Sequence, residues 1–162
     1  MSTEPLTPIT SRSVFHAALR LAFGEAAQRG SRELWLCDDD FADWPLGERA
    51  VIEQLGLWAA SSRRLTLLAR TFDEVARRHA RWVAWRLQWS HIVSCCTNNE
   101  LEVGEMPTLL IASGTVNVRL IDRVHHRGRV SHARADEIHC KEMFDAVLQR
   151  SEPAFPATTT GL

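Results

Sequence analysis

Four apolar residues, Leu34-Trp35-Leu36-Cys37, run directly into Asp38-Asp39-Asp40, with a fourth carboxylate at Asp43 and a proline at position 45. A continuous apolar run has no polar face to turn to water, so as a strand it must be covered on both sides. The carboxylates mark where such a strand stops. Arg64–Ala69 repeats the pattern, and the segments between these runs carry apolar residues at helical spacing. Strands alternating with helices imply right-handed crossovers and parallel pairing.

The remaining elements follow from local signals. Ser11 or Ser13 is placed to cap a helix that runs to Gln28 and is stopped by Gly30. Glu33–Cys37 reads as the first strand. Asp43 and Pro45 are expected to cap and open a helix continuing to Ala60, with Val51, Leu55 and Trp58 on its apolar side. After the second strand, Thr71 and Glu74 have the spacing of a capping box. The helix behind them carries Trp82, Trp85 and Trp89 and is expected to break near His79. Residues 91–96, 108–112 and 116–122 complete five strands, the last two as a hairpin turning at Gly114. Residues 123–131 read as a loop and 133–149 as a final helix.

The expected fold is therefore α/β, a three-layer sandwich around a mixed, mainly parallel sheet of about five strands. With 162 residues, one domain with one sizeable core is expected. It covers 11–150, between a flexible tail at 1–10 and a C-terminal tail at 151–162.

Charge and cysteines narrow the function classes. A formal net charge of −1 provides no global attraction to nucleic acid or anionic lipid, so neither is expected as a partner. The N-terminus has neither a basic region nor an apolar core, so it does not read as a signal peptide. No apolar run approaches the ~18 residues needed to span a bilayer. Cys37, Cys95, Cys96 and Cys140 sit mostly in apolar segments without metal-ligand spacing, and read as reduced thiols of a cytoplasmic protein. Of the 19 basic residues only Lys141 is a lysine. Arg favours forked contacts with carboxylates and phosphates, but this bias is read as a mark of genome composition.

The element order and local sequence resemble one half of the phospholipase-D-like fold, and more closely the domain appended to some proteobacterial acetyltransferases. The resemblance spans residues 31–153. It is carried by Leu34 to Asp38 with Asp43, by Leu65 to Ala69, by the hairpin from Pro107 to Arg119, and by Phe144-Asp145 with Arg150-Ser151-Glu152-Pro153. Active members of that family carry His-x-Lys and an Asp on the strand that here runs from Glu105 to Ser113. Met106 stands at the His position, Thr108 at Lys and Ser113 at Asp. A thioether is no nucleophile here and Thr has no positive charge, so the resemblance implies no phosphodiesterase activity through this motif.

Asp38 to Asp40 allow two further chemistries. They are similar to the Asp-x-Asp of haloacid-dehalogenase-like phosphotransferases, with Asp38 as nucleophile, Asp40 as acid/base and a magnesium ion on their oxygens. That family also needs a later Lys and a downstream acidic pair. Lys141 lies deep in the last helix, and no strand after Ala69 ends in paired acids. The simpler expectation is an Asx-rich turn, with Asp43 capping the next helix. His125, His126, His132 and His139 with Cys140 crowd sixteen positions but contain no histidine pair at i, i+4, so no metal site is assigned. Trp82, Trp85 and Trp89 form a stripe that is either core or a contact face; single-stranded nucleic acid stacking on it is disfavoured by the near-zero net charge.

The expected function is that of a non-catalytic cytoplasmic α/β module acting by self-association, as a homodimer, or by binding a protein partner. The alternative is a metal-dependent phosphate-handling enzyme using Asp38 and Asp40. Ligand-binding candidates are Asp38, Asp39, Asp40 and Asp43; interface candidates are Trp82, Trp85 and Trp89. No catalytic residue, metal or cofactor is assigned.

Overall fold

In the computed structural model, residues 6–157 are described. In chain order they form β1 (Thr7–Ile9), α1 (Arg12–Arg29), β2 (Glu33–Cys37), α2 (Arg49–Trp58), β3 (Arg64–Ala69), α3 (Asp73–Arg78), α4 (Ala80–Gln88), β4 (Val93–Thr97), β5 (Thr108–Ala112), β6 (Val116–Asp122), β7 (Arg127–Ser131), α5 (Arg134–Leu148) and β8 (Glu152–Pro153). The strands build one open sheet in the order β1-β7-β6-β5-β2-β3-β4-β8.

The α/β class stands, but the expected sheet of about five mainly parallel strands does not. Eight strands pair among the described residues, and only β2 with β3 and β3 with β4 are parallel. The other neighbours run antiparallel. The parallel part is the segment where helices cross over between strands. β5, β6 and β7 follow one another through tight connections, which force antiparallel pairing, and β8, reached through α5, pairs antiparallel with β4. β7 falls in the segment read as a loop, and β1 and β8 fall in the segments read as tails. Residues 1–5 and 158–162 of those tails lie outside the described residues.

The continuous apolar strands are covered on both faces, as their composition requires. Leu34 and Leu36 join the larger core with Phe15, Leu19 and Phe23 of α1 and with Leu55 and Trp58 of α2. Cys37, with Trp35 packed alongside, joins the smaller core, where Cys140, Phe144 and Val147 of α5 meet Leu109 and Ile111 of β5. Trp58 is fully buried and its indole Nε1 donates to Ser31 O at 2.7 Å, so its polar edge is satisfied inside the core.

Caps decide the helix ends. Val14 N donates to Ser11 Oγ at 3.2 Å, and Gly30 closes α1 in the left-handed region at φ 70°. Pro45 does not open α2; the chain makes a turn there, Glu48 N bonding Pro45 O at 3.1 Å, and the helix starts at Arg49. Buried Trp44 and Leu46 hold this turn on the core, which delays the helix. The capping box does not close either: Thr71 Oγ1 takes Asp73 N, while Glu74 turns to Arg77 and Arg78. The break expected near His79 is present, and His79 Nε2 is within 2.7 Å of Phe41 O. Gly128 in β7 is required by close approach, because a Cβ there would sit 2.0 Å from Arg119 O beside an irregularity in the β6–β7 pairing.

Among the described residues no helix is long and apolar enough to cross a membrane.

Candidate functional site

Asp38 follows β2 directly and is 4% exposed. Its Oδ2 accepts Phe41 N at 2.8 Å and Asp40 N at 3.3 Å, and its Oδ1 accepts the Thr108 hydroxyl at 2.6 Å. Burial pushes this carboxyl above the ordinary carboxylate range, against the opposing pull of the Thr108 bond, the Arg123 charge and the two amides. The turn it organises carries Phe41 at φ 59°, a left-handed conformation outside glycine.

The other carboxylates do not converge with it. Buried Asp39 lies between two guanidinium groups, Arg70 Nη1 at 3.5 Å and Arg123 Nη1 at 4.0 Å. Asp40 Oδ1 accepts Ala42 N at 2.9 Å. Asp43 caps nothing: Arg12 Nε donates to it at 2.6 Å, and His126 Nε2 is 2.9 Å from its other oxygen. Burial raises the Asp43 carboxyl, yet the bonds from His126 and Arg12 outweigh it, leaving it below its usual value. The expected cap is thus replaced by a link between α1, the turn and the loop before β7. Each aspartate has its own partners, an arrangement of Asx turns and ion pairs without a shared cation seat. Among the described residues no group of three or more His, Cys, Asp or Glu is placed to hold a metal ion.

A recess of about 850 Å³ opens beside this turn, lined by Asp40, Asp43, Met106, Arg119, Arg123 and His126 among others. Met106 is buried, Thr108 is committed to Asp38, and Ser113 lies at the far end of β5, where its Oγ accepts Glu33 N. The histidines of the late segment disperse. His125 bonds Asp122, His126 bonds Asp43, and His132 bonds Glu25.

The tryptophan stripe is divided by burial. Trp82 and Trp85 are 0% and 6% exposed and belong to the core, so they present no contact face. Trp89 is half-buried beyond α4 and stacks on exposed His91, with ring centroids 5.7 Å apart.

The opposite end of the parallel strands carries a row that residue-by-residue reading passed over. Arg29 ends α1, Arg32 precedes β2, Arg63 precedes β3 and Arg64 opens it, and His91 precedes β4. Arg64 N bonds Arg32 O at 3.0 Å, and Arg64 Nη1 lies 3.5 Å from His91 O. Arg63 donates to Trp58 O and its guanidinium covers Gly30. Arg29, Arg32 and Arg64 are exposed, and half-buried Glu33 is the acid set among them. Meanwhile Asp38, Asp39, Asp40, Asp43, Glu102 and Glu105 gather at the other end of the sheet. Arg12, Arg70 and Arg123 stand among those carboxylates, so what a net charge of −1 conceals is the pairing: the acidic end is matched by arginines, whereas the arginine row has no ion pair with a carboxylate among the described residues. The available signal was the placing of arginines immediately before strands, not their number.

No protein-family model matches the chain, and no curated protein matches it. Among solved structures it is similar to TrmBL2, described as an archaeal chromatin protein whose structure shows a novel mode of DNA binding. The TM-score is 0.66 at 13% identity, covering 93% of this chain and 54% of that one. The chain thus spans about half the length of that protein. At this identity the likeness speaks to the fold. A protein of similar fold is thus described as binding DNA, so the expectation of no nucleic-acid partner, drawn from net charge alone, is withdrawn. The expectation of a non-catalytic module acting by self-association or protein binding is withdrawn to the same extent, and the phosphate-handling alternative loses its site, because Asp38 is already bonded to Thr108 and backbone amides.

Proposed function

We propose that this chain is a nucleic-acid-binding module that holds duplex DNA by its phosphates, along the arginine row at the start of the parallel strands. The observation that carries this is the exposed set Arg29, Arg32 and Arg64, with Arg63 behind them and none of the four in an ion pair with a carboxylate among the described residues. An arginine without an acid partner keeps its forked donors for a phosphate. Trp89 and His91 border the row and offer a stacked aromatic surface to a sugar or base. The likeness to a chromatin protein supports the same reading.

Such binding is electrostatic and independent of sequence, with an affinity of about 1–100 μM at physiological salt. Within this reading the chain is phospholipase-D-half-like and without the family's catalytic motif, and its buried thiols suit the reducing cytoplasm. The test is fluorescence anisotropy with a labelled duplex across a salt series. Log affinity should fall linearly with log salt, and the Arg29/Arg32/Arg64→Ala variant should lose about 1 from the slope for each phosphate contact removed. Binding that ignores salt, or that survives in the triple variant, would overturn the assignment.

A further inference from the structure

We propose that the recess beside Arg86 is a binding site for an oxyanion, the carboxylate or phosphate group of a small molecule. Arg86 projects from α4 and is 5% exposed. It forms no ion pair among the described residues, and its Nε is enclosed without an acceptor. The guanidinium lies over two aromatic rings, 6.0 Å from the centroid of Trp82 and 5.0 Å from that of Phe155.

An arginine cannot shed its proton to relieve burial, so this side chain brings a full charge to the edge of the core. Contact with ring faces recovers part of the lost hydration, but it supplies no countercharge. The neighbouring thiol does not supply one either. Burial pushes Cys95 up to about 12 even with Arg86 pulling it down, so it stays protonated.

What faces the guanidinium instead is a recess of about 440 Å³, lined by Ser94, Cys95, Cys96, Pro153 and Ala154. The recess lies where the cover over β4 runs out. β8 pairs only with Cys96 and Thr97, and Ala154 N adds one bond to Cys95 O at 2.9 Å. Beyond that point the strand is open, and exposed Ser94 lies on the rim. A guanidinium presents paired N–H donors, and a carboxylate or phosphate presents two oxygens at matching separation. One small oxyanion therefore fits: it supplies the countercharge and an acceptor. The site shares no residue with the arginine row and does not depend on DNA binding.

The experiment is a titration of the full chain with sodium acetate and, separately, with inorganic phosphate, with ionic strength held constant by chloride. The Arg86 Nε–H resonance is followed by proton–nitrogen NMR. A saturable shift with a dissociation constant of about 1 mM is expected for at least one anion. Saturation by acetate alone identifies a carboxylate site, and by phosphate alone a phosphate site. Arg86→Met should abolish the binding, read in that variant from the backbone amides of Ser94 to Cys96, and should raise Tm by about 2–4 °C in anion-free buffer. Pro156→Asp, at an exposed residue lining the recess next to Phe155, brings a carboxylate to the site and should also abolish the response, with Arg86 still present to report it. A linear, unsaturated drift with both anions would overturn the proposal. So would a saturable response that persists in Pro156→Asp.

Discussion

Replacing Asp38 separates two roles that its carboxylate combines, organising the turn after β2 and carrying a buried charge. Asp38→Ala strips acceptors from Phe41 N and from the Thr108 hydroxyl, both buried, and weakens the longer contact with Asp40 N. Each buried donor left without a partner costs about 1–3 kcal/mol, so the loss should be about 3 kcal/mol. For a chain of this size that corresponds to a drop in Tm of about 6–12 °C. Asp38→Asn should behave differently. Its amide oxygen can accept both backbone N–H groups, and its NH₂ can donate to Thr108, whose hydroxyl rotates to accept. The cost should stay within about 0.5 kcal/mol, because the charge penalised by burial is gone.

The pH dependence gives the sign. Burial raises the Asp38 carboxyl in the folded state, so the folded protein holds that proton more tightly than the unfolded chain. The stability this contributes is complete below the ordinary carboxylate value and is lost as pH rises through the raised value. Asp38→Asn should therefore gain on the parent between about pH 4 and pH 7. Urea unfolding followed by tryptophan fluorescence suits a chain with six Trp and no Tyr. If Asp38→Asn proved as damaging as Asp38→Ala at both pH values, the charge and not the hydrogen-bond pattern would hold the turn, and this account would be wrong.

Other outcomes follow from the packing and pairing described above. Gly128→Ala should cost about 1–3 kcal/mol in thermal unfolding, since its Cβ has no room against the backbone of Arg119. Asp43 sits below its usual value, so its ion pairs stabilise above the ordinary carboxylate range and fade as pH falls through the lowered one; Asp43→Ala should flatten that part of an acid-unfolding curve. In the native protein Ellman's reagent should modify half-buried Cys96 first, and Cys37, Cys95 and Cys140 only on unfolding; prompt reaction of two or more thiols would contradict the burial pattern.

Strands with strong composition were legible. β2, β3, β5 and β6 lie at the residues their apolar runs indicate, because a doubly covered strand has little freedom in sequence. β7 was not, since Arg127-Gly128-Arg129-Val130-Ser131 has no apolar face and pairs through its backbone while most of its side chains stay in partial contact with water. Pro45 and Asp43 carry a sound local signal for a helix start, which the burial of Trp44 and Leu46 overrides. The acid turn was visible as a feature, but its partners were not. Thr108 reaches Asp38 across 70 positions and His126 reaches Asp43 across 83, distances at which no spacing rule applies. Net charge hid the arginine row for a related reason, because a sum over the chain discards where each charge falls and which charges are paired.

The two outermost strands of the sheet, β1 and β8, each contain a proline, Pro8 and Pro153. A proline has no N–H to offer an incoming chain, and strands of three and two residues present little ladder on which to add another. An eight-stranded open sheet would otherwise expose two templates for edge-to-edge growth. Here the first and last described segments of the chain terminate both, which protects a sheet rich in Leu, Val and Ile from polymerising through its own margins.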